Sequence, residues 1–224
     1  MQKELRKQIS NLDLRIKDAA DNSLSKSNDI TIIAVSKKKT FDHIKCAYDS
    51  GVRNFGENYA QELEEKAKNL RLENIIWHFI GPLQSNKAKS IVANAHWIHS
   101  LDREKISNKI NTECGNLNKK INGCIQVNIS EEQSKSGLKP KELLDYADHI
   151  KSLENINLKG IMVLPSLGEN NKKQMQDSKL LHEELVSVFP HAEYLSMGTT
   201  NDFETAIVSG SNMIRVGELI FGKR

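Results

Sequence analysis

Apolar and polar positions fall in blocks along this chain rather than alternating residue by residue. In residues 1–20, Leu5, Ile9, Leu12, Ile16 and Ala19 stand at helical spacing among charges. That pattern predicts an amphipathic helix covering a larger body, ended by Asp21-Asn22-Ser23. From there a unit repeats: a short run rich in Ile and Val, a polar turn, then a charged stretch that suits a helix. The runs are Ile30–Val35, Val52–Phe55, Ile75–Ile80, Trp97–Leu101, Cys124–Ile129, Leu158–Leu164, Ala192–Met197 and Met213–Val216. Strands that alternate with helices imply right-handed βαβ units and a parallel sheet. TIIAV and GIMVL are nearly continuous apolar runs, as strands covered on both faces should be. The eight units predict a closed (β/α)8 barrel, with 224 residues near the short end for that fold. A doubly wound open sheet is the alternative, weakened because no Gly-rich dinucleotide fingerprint follows the first strand. No segment has linker composition, so residues 1–224 are expected to form one domain. The polar stretch Ser166–Gln176 reads as a mobile loop at the C-terminal face.

Composition narrows the function classes. Hydrophobic residues make up 38% and charged residues 27%, ordinary for a soluble globular chain. A formal net charge of +3 and an aromatic content of 5% argue against a nucleic-acid or membrane-surface binder. Cys46, Cys114 and Cys124 have no metal-like spacing and read as reduced thiols. The first ten residues, MQKELRKQIS, lack an apolar core, and no run approaches the roughly 18 apolar residues of a membrane span. The expected location is the cytoplasm.

Barrel enzymes work at the C-terminal ends of their strands, so the polar residues there are the candidates. The first strand runs into Ser36-Lys37-Lys38-Lys39. A lysine at a strand end that points into the barrel mouth is desolvated, which favours the neutral, nucleophilic amine and a Schiff base with an aldehyde. The same three lysines also describe a solvated charged turn. Asn58, after the second strand, suits either a helix N-cap or a hydrogen bond to a ring oxygen of a ligand. His78 lies in an apolar strand, where a satisfied core histidine is the commoner outcome. The seventh strand leaves through Ser196-Met197-Gly198-Thr199-Thr200-Asn201-Asp202 and the eighth ends in Arg215-Val216-Gly217-Glu218. Loops after strands seven and eight often hold phosphate in barrels, and a hydroxyl-rich turn opening a helix suits an anion. Ordinary turn and capping chemistry explains the same residues. Arg215, between Ile214 and Val216, needs a partner if buried: a carboxylate, or the ring nitrogen of a heteroaromatic ligand.

Eight stretches, in order, carry a resemblance: AVSKKKT (34–40), FGENYAQE (55–62), WHFIGPLQSNK (77–87), QVNIS (126–130), SKSG (134–137), GIMVLP (160–165), LSMGTTNDFETAI (195–207) and MIRVGELIFGKR (213–224). They resemble the pyridoxal-phosphate homeostasis protein family across nearly the whole chain after the first helix. The resemblance implies a barrel like the N-terminal domain of bacterial alanine racemase (fold type III), with the helix of residues 1–20 added. It implies pyridoxal 5′-phosphate held as an aldimine on Lys37, and phosphate contacts from Ser196, Gly198, Thr200 and Gly217. Arg215 would face the pyridine nitrogen, with Asn58, His78 and Met162 around the ring. Three positions depart from the family pattern. Thr40 replaces a usual proline, Thr200 replaces serine and keeps its hydroxyl, and Glu218 replaces a small hydroxyl residue and is expected to point away from phosphate.

Arginine cannot receive a proton from the ring nitrogen, so it leaves the ring neutral and a weak electron sink. Racemases with this arrangement add a second base from another domain or subunit. Here the four tyrosines, Tyr48, Tyr59, Tyr146 and Tyr194, all lie within the barrel sequence, with Tyr59 the one near a strand end. The expectation is therefore a cytoplasmic monomer that stores and delivers the cofactor, with pyridoxal-phosphate-dependent apoenzymes as recipients. A racemase-like enzyme and a phosphate-ligand barrel that takes no aldehyde are the alternatives.

Overall fold

Parallel strands and covering helices alternate around the closed ring predicted by the apolar runs. The structure, a computed structural model, describes residues 2–23, 30–132 and 134–222. Met1, Lys223 and Arg224, which fall within the predicted first helix and the last matching stretch, lie outside the described residues. The strands are β1 (Thr31–Val35), β2 (Asn54–Glu57), β3 (Ile76–Phe79), β4 (Trp97–Leu101), β5 (Ile121–Val127), β6 (Ile156–Val163), β7 (Tyr194–Ser196) and β8 (Met213–Val216). They pair in chain order, and β8 returns to β1 through Ile33 opposite Arg215, which closes the barrel. The helices are α1 (Gln2–Asp21), α2 (Phe41–Tyr48), α3 (Ala60–Asn69), α4 (Ala88–Asn94), α5 (Glu104–Asn116), α6 (Leu143–Lys151), α7 (Asn171–Val188), α8 (Phe203–Val208) and α9 (Glu218–Phe221). None of the described helices is long and apolar enough to cross a membrane.

Two apolar regions follow from the strand alternation. Outward residues such as Ala34, Phe55, Ile98 and Ile125 pack under the helices. Inward residues Ile33, Trp97, Cys124, Met162 and Met213 fill the lumen. The predicted strands shift where polar residues are accommodated. β2 runs on to Glu57, a carboxylate neutralised inside the fold by Lys66. β5 starts three residues earlier than its apolar core because Ile121, Asn122 and Gly123 pair with Ile156, Asn157 and Leu158.

The loop predicted over Ser166–Gln176 is half that length. α7 begins at Asn171, and Gln174 Oε1 accepts from both the backbone N–H and the hydroxyl of Ser166, at 2.7 and 2.8 Å. Helix α1 buries Leu5, Leu12, Ile16 and Ala19. It packs on α8 and α9, and Arg15 bonds Glu204 while lying 4.7 Å over the Phe203 ring.

Candidate functional site

The turn after β1 is fixed from below by buried charges. Ser36 N–H continues the ladder to Gly56 O, and Lys39 N–H closes the turn on Ser36 O, both at 3.0 Å. Ser36 Oγ donates to Glu57 Oε1 at 2.6 Å. Lys66, on the inner face of α3, donates to Ser36 O, Glu57 Oε1 and Glu62 Oε2, each at 2.8 Å. Lys38 takes φ +60°, outside the region most side chains prefer, and its N–H is held by Glu62 Oε2 at 2.7 Å. The result is a rigid bend that sets the half-buried Lys37 on one wall of a cavity at the C-terminal mouth.

That cavity has a volume of about 360 Å³, within the range of small-ligand sites. The structure brings Lys37, Asn58, Met162, Thr200, Arg215 and Gly217 to its wall. Asn58 does not cap α3; Tyr59 takes the cap position. Asn58 Oδ1 is buried and, among the described residues, has no hydrogen-bond partner, so it is open to a donor from outside the protein. Arg215 is 5% exposed and, among the described residues, forms no ion pair. Nη1 donates to Ser196 O and Oγ, and Nη2 to Val163 O. Burial draws its pKa down to about 10, against the opposing charge of Asp202. Three of its five N–H groups are thus used by the protein, leaving donors for a ligand acceptor.

Three predicted residues stand away from the wall. His78 is fully buried in the lumen, stacked on Trp97, as a satisfied core histidine. It is not one of the residues that line the cavity. Ser196 is also fully buried, and its hydroxyl is shared between Arg215 and His99 rather than aimed outward. Gly198, at φ +97°, makes the turn: a Cβ there would lie 2.6 Å from that of Ala206. Glu218, expected to point away, is exposed and borders the cavity at the start of α9. Tyr59 is exposed, and none of the four tyrosines lines the cavity.

Glu57, Glu62, Lys66 and His99 support the site without being candidates in the sequence. Lys66 had a visible signal, because it follows Ala60 and Leu63 on the apolar face of its helix. His99 shares the inward face of β4 with Trp97, two residues apart.

Residues 15–224 match the family described as alanine racemase, N-terminal domain. The pyridoxal phosphate homeostasis protein of Pasteurella multocida (strain Pm70) is 40% identical over 226 residues, spanning 96% of each chain. This chain belongs to the pyridoxal phosphate homeostasis protein family. Another relative, PipY of Synechococcus elongatus PCC7942, solved with pyridoxal phosphate bound, superposes with a TM-score of 0.84 at 29% identity, covering 97% of this chain and all of that one. The fold extends to alanine racemase of Clostridium difficile 630, with a TM-score of 0.76 at 18% identity over 98% of this chain and 56% of the racemase. Family membership agrees with the closed barrel.

Proposed function

We propose that this chain binds pyridoxal 5′-phosphate on Lys37 and acts in holding and handing on the cofactor, without turning over a substrate. The observation that carries this reading is one cavity with Lys37 on its wall beside the unsatisfied Asn58 Oδ1 and the carboxylate-free Arg215. A phosphate, a phenolic oxygen, a ring nitrogen and an aldehyde each find a group of suitable chemistry there. The bound form of PipY and the names of the relatives support the same ligand. When bound, the cofactor supplies an aldehyde that condenses reversibly with amines and a ring that withdraws electrons.

The chain's own groups favour storage. Lys37 is held by the clamped turn of residues 36–39 as the nucleophile. Thr200 and Gly217, with its neighbouring N–H groups, receive the phosphate at the rim. Arg215 donates toward the ring nitrogen and keeps it unprotonated. No tyrosine borders the cavity to serve as a second base. Cytoplasmic residence, a monomeric state and delivery to cofactor-dependent apoenzymes complete the proposal.

The test is an absorbance titration with pyridoxal phosphate, borohydride reduction and peptide mapping. A visible band and a reduced adduct on Lys37, both lost in Lys37→Ala, are the expected outcome; no band in the unsubstituted protein defeats the reading. Racemisation of alanine that disappears in Lys37→Ala would defeat the carrier assignment alone. Asn58→Ala is expected to weaken cofactor binding by about three- to tenfold, the worth of one hydrogen bond. Stability without cofactor should stay level, because Asn58 Oδ1 has no protein partner to lose. Calorimetric binding and urea melts of the two proteins check both halves.

A further inference from the structure

Below the cavity, the lumen contains an unbroken run of buried polar contacts. Arg215 Nη1 reaches Ser196 Oγ at 2.7 Å, Ser196 Oγ lies 3.0 Å from His99 Nδ1, His99 Nε2 lies 3.0 Å from His78 Nδ1, and His78 Nε2 lies 2.9 Å from Asn54 Oδ1. Ser196, His78 and His99 are fully buried. Both ends of the run are chemically fixed. Arginine only donates, and an amide oxygen only accepts.

With both imidazoles neutral, one proton arrangement satisfies every link. Asn54 Oδ1 sets the order from its end, and Ser196, which accepts from Arg215, gives its own hydrogen to His99 Nδ1. That ring is then protonated on Nε2 and donates to His78 Nδ1. His78 is protonated on Nε2 and donates to Asn54 Oδ1. The order requires both imidazoles to be neutral, since a charged ring has no nitrogen left to accept. Burial supports this strongly: it draws His78 down to about 3, and draws His99 well below its ordinary value with Arg215 adding to the effect. The titratable groups facing the run are Arg215 on β8, Cys124 on β5, His96 before β4 and Asp202 before α8.

We propose that His99 and His78 are positioning residues that lock the Ser196 hydroxyl and, through it, the Arg215 guanidinium as a directed donor to the ring of the bound cofactor. This rests on the cofactor reading above. The ordered run explains why a barrel core spends two histidines where apolar side chains would pack. A guanidinium bonded on one edge to Ser196 and Val163 O cannot rotate, so its remaining N–H groups keep one direction toward the cavity.

The experiment compares unsubstituted protein with His99→Leu and His99→Gln. Glutamine can accept from Ser196 and donate to His78, whereas leucine keeps bulk and breaks both links. His99→Leu is expected to weaken pyridoxal phosphate binding about five- to tenfold and to shift the pH profile of the visible band. His99→Gln is expected to restore both; a packing role would leave glutamine no better than leucine. Nitrogen-15 NMR of the cofactor-free protein should show both rings neutral and protonated on Nε2. A charged ring, or His99 protonated on Nδ1, overturns the proposal. So does a His99→Leu band with unchanged affinity and pH profile. If the unsubstituted protein shows no band, the cofactor reading falls and takes this role with it, and the NMR result then identifies the run as purely structural.

Discussion

Lys66→Met is expected to destabilise the fold by about 3–5 kcal/mol, the usual penalty for stripping one partner from a buried pair. Lys66 and Glu57 have side-chain exposures of 6% and 0%, and the ammonium also holds Ser36 O and Glu62. The pH dependence has a definite sign. Burial lifts the Glu57 carboxyl from an ordinary 4.5 to about 7 in the fold, with Lys66 working against the rise. A folded value above the unfolded one gives stability that is complete below 4.5 and is lost as pH rises toward 7. Above 7 the folded carboxyl ionises too, and the loss levels off. Without Lys66 the folded value climbs further, so the variant goes on losing stability where the parent has stopped. Urea melts at several pH values should therefore show the gap between the two proteins widening above about pH 7. A gap under about 1 kcal/mol at every pH would refute a structural role for the pair. Glu57→Gln in the same chain should recover part of the loss, because no uncompensated charge remains.

Gly160→Ala is expected to exceed about 4 kcal/mol, a size reserved for specific structural failures. Gly160 sits in β6 at φ +149°, and a Cβ there would fall 1.8 Å from Tyr194 O and 2.9 Å from Tyr194 N. Those atoms are the backbone of β7, so relief means parting β6 from β7 and opening the barrel. Gly51→Ala is the control. Its φ is +101° but nothing lies within 4 Å of the added carbon, so only the backbone preference of about 1–2 kcal/mol is lost. Soluble yield and denaturation midpoints measure both. Equal effects in the two variants would mean that the contact with β7 is relieved by small local movement.

The barrel was legible because its strands are largely covered on both faces, and runs such as TIIAV and GIMVL are almost wholly apolar. Strand ends were less so: Glu57 looks like a loop residue until Lys66 is seen across from it. The cavity residues Lys37, Asn58, Thr200, Arg215 and Gly217 were found because each lies in the last residues of a strand or in the turn that follows it, which puts it at the mouth. The strand-end rule did not separate the rim from the lumen. Ser196 and His78 point inward into a network whose bonded neighbours are separated by up to 97 positions, as Ser196 and His99 are, and no local pattern encodes such a pairing. The loop after β6 misled for a related reason. Asn171–Gln176 is polar enough for a loop, but Gln174 ties it back to Ser166 and the helix starts early.

Helix α1 grips α8 and α9 from outside the barrel, and those two helices begin at the turns that carry Thr200 and Gly217. Local opening of α1 is therefore expected to loosen those turns, and a ligand held by them to make that opening harder. The amino-terminal helix is thus expected to report occupancy energetically: binding of a ligand that never touches it should slow its fraying.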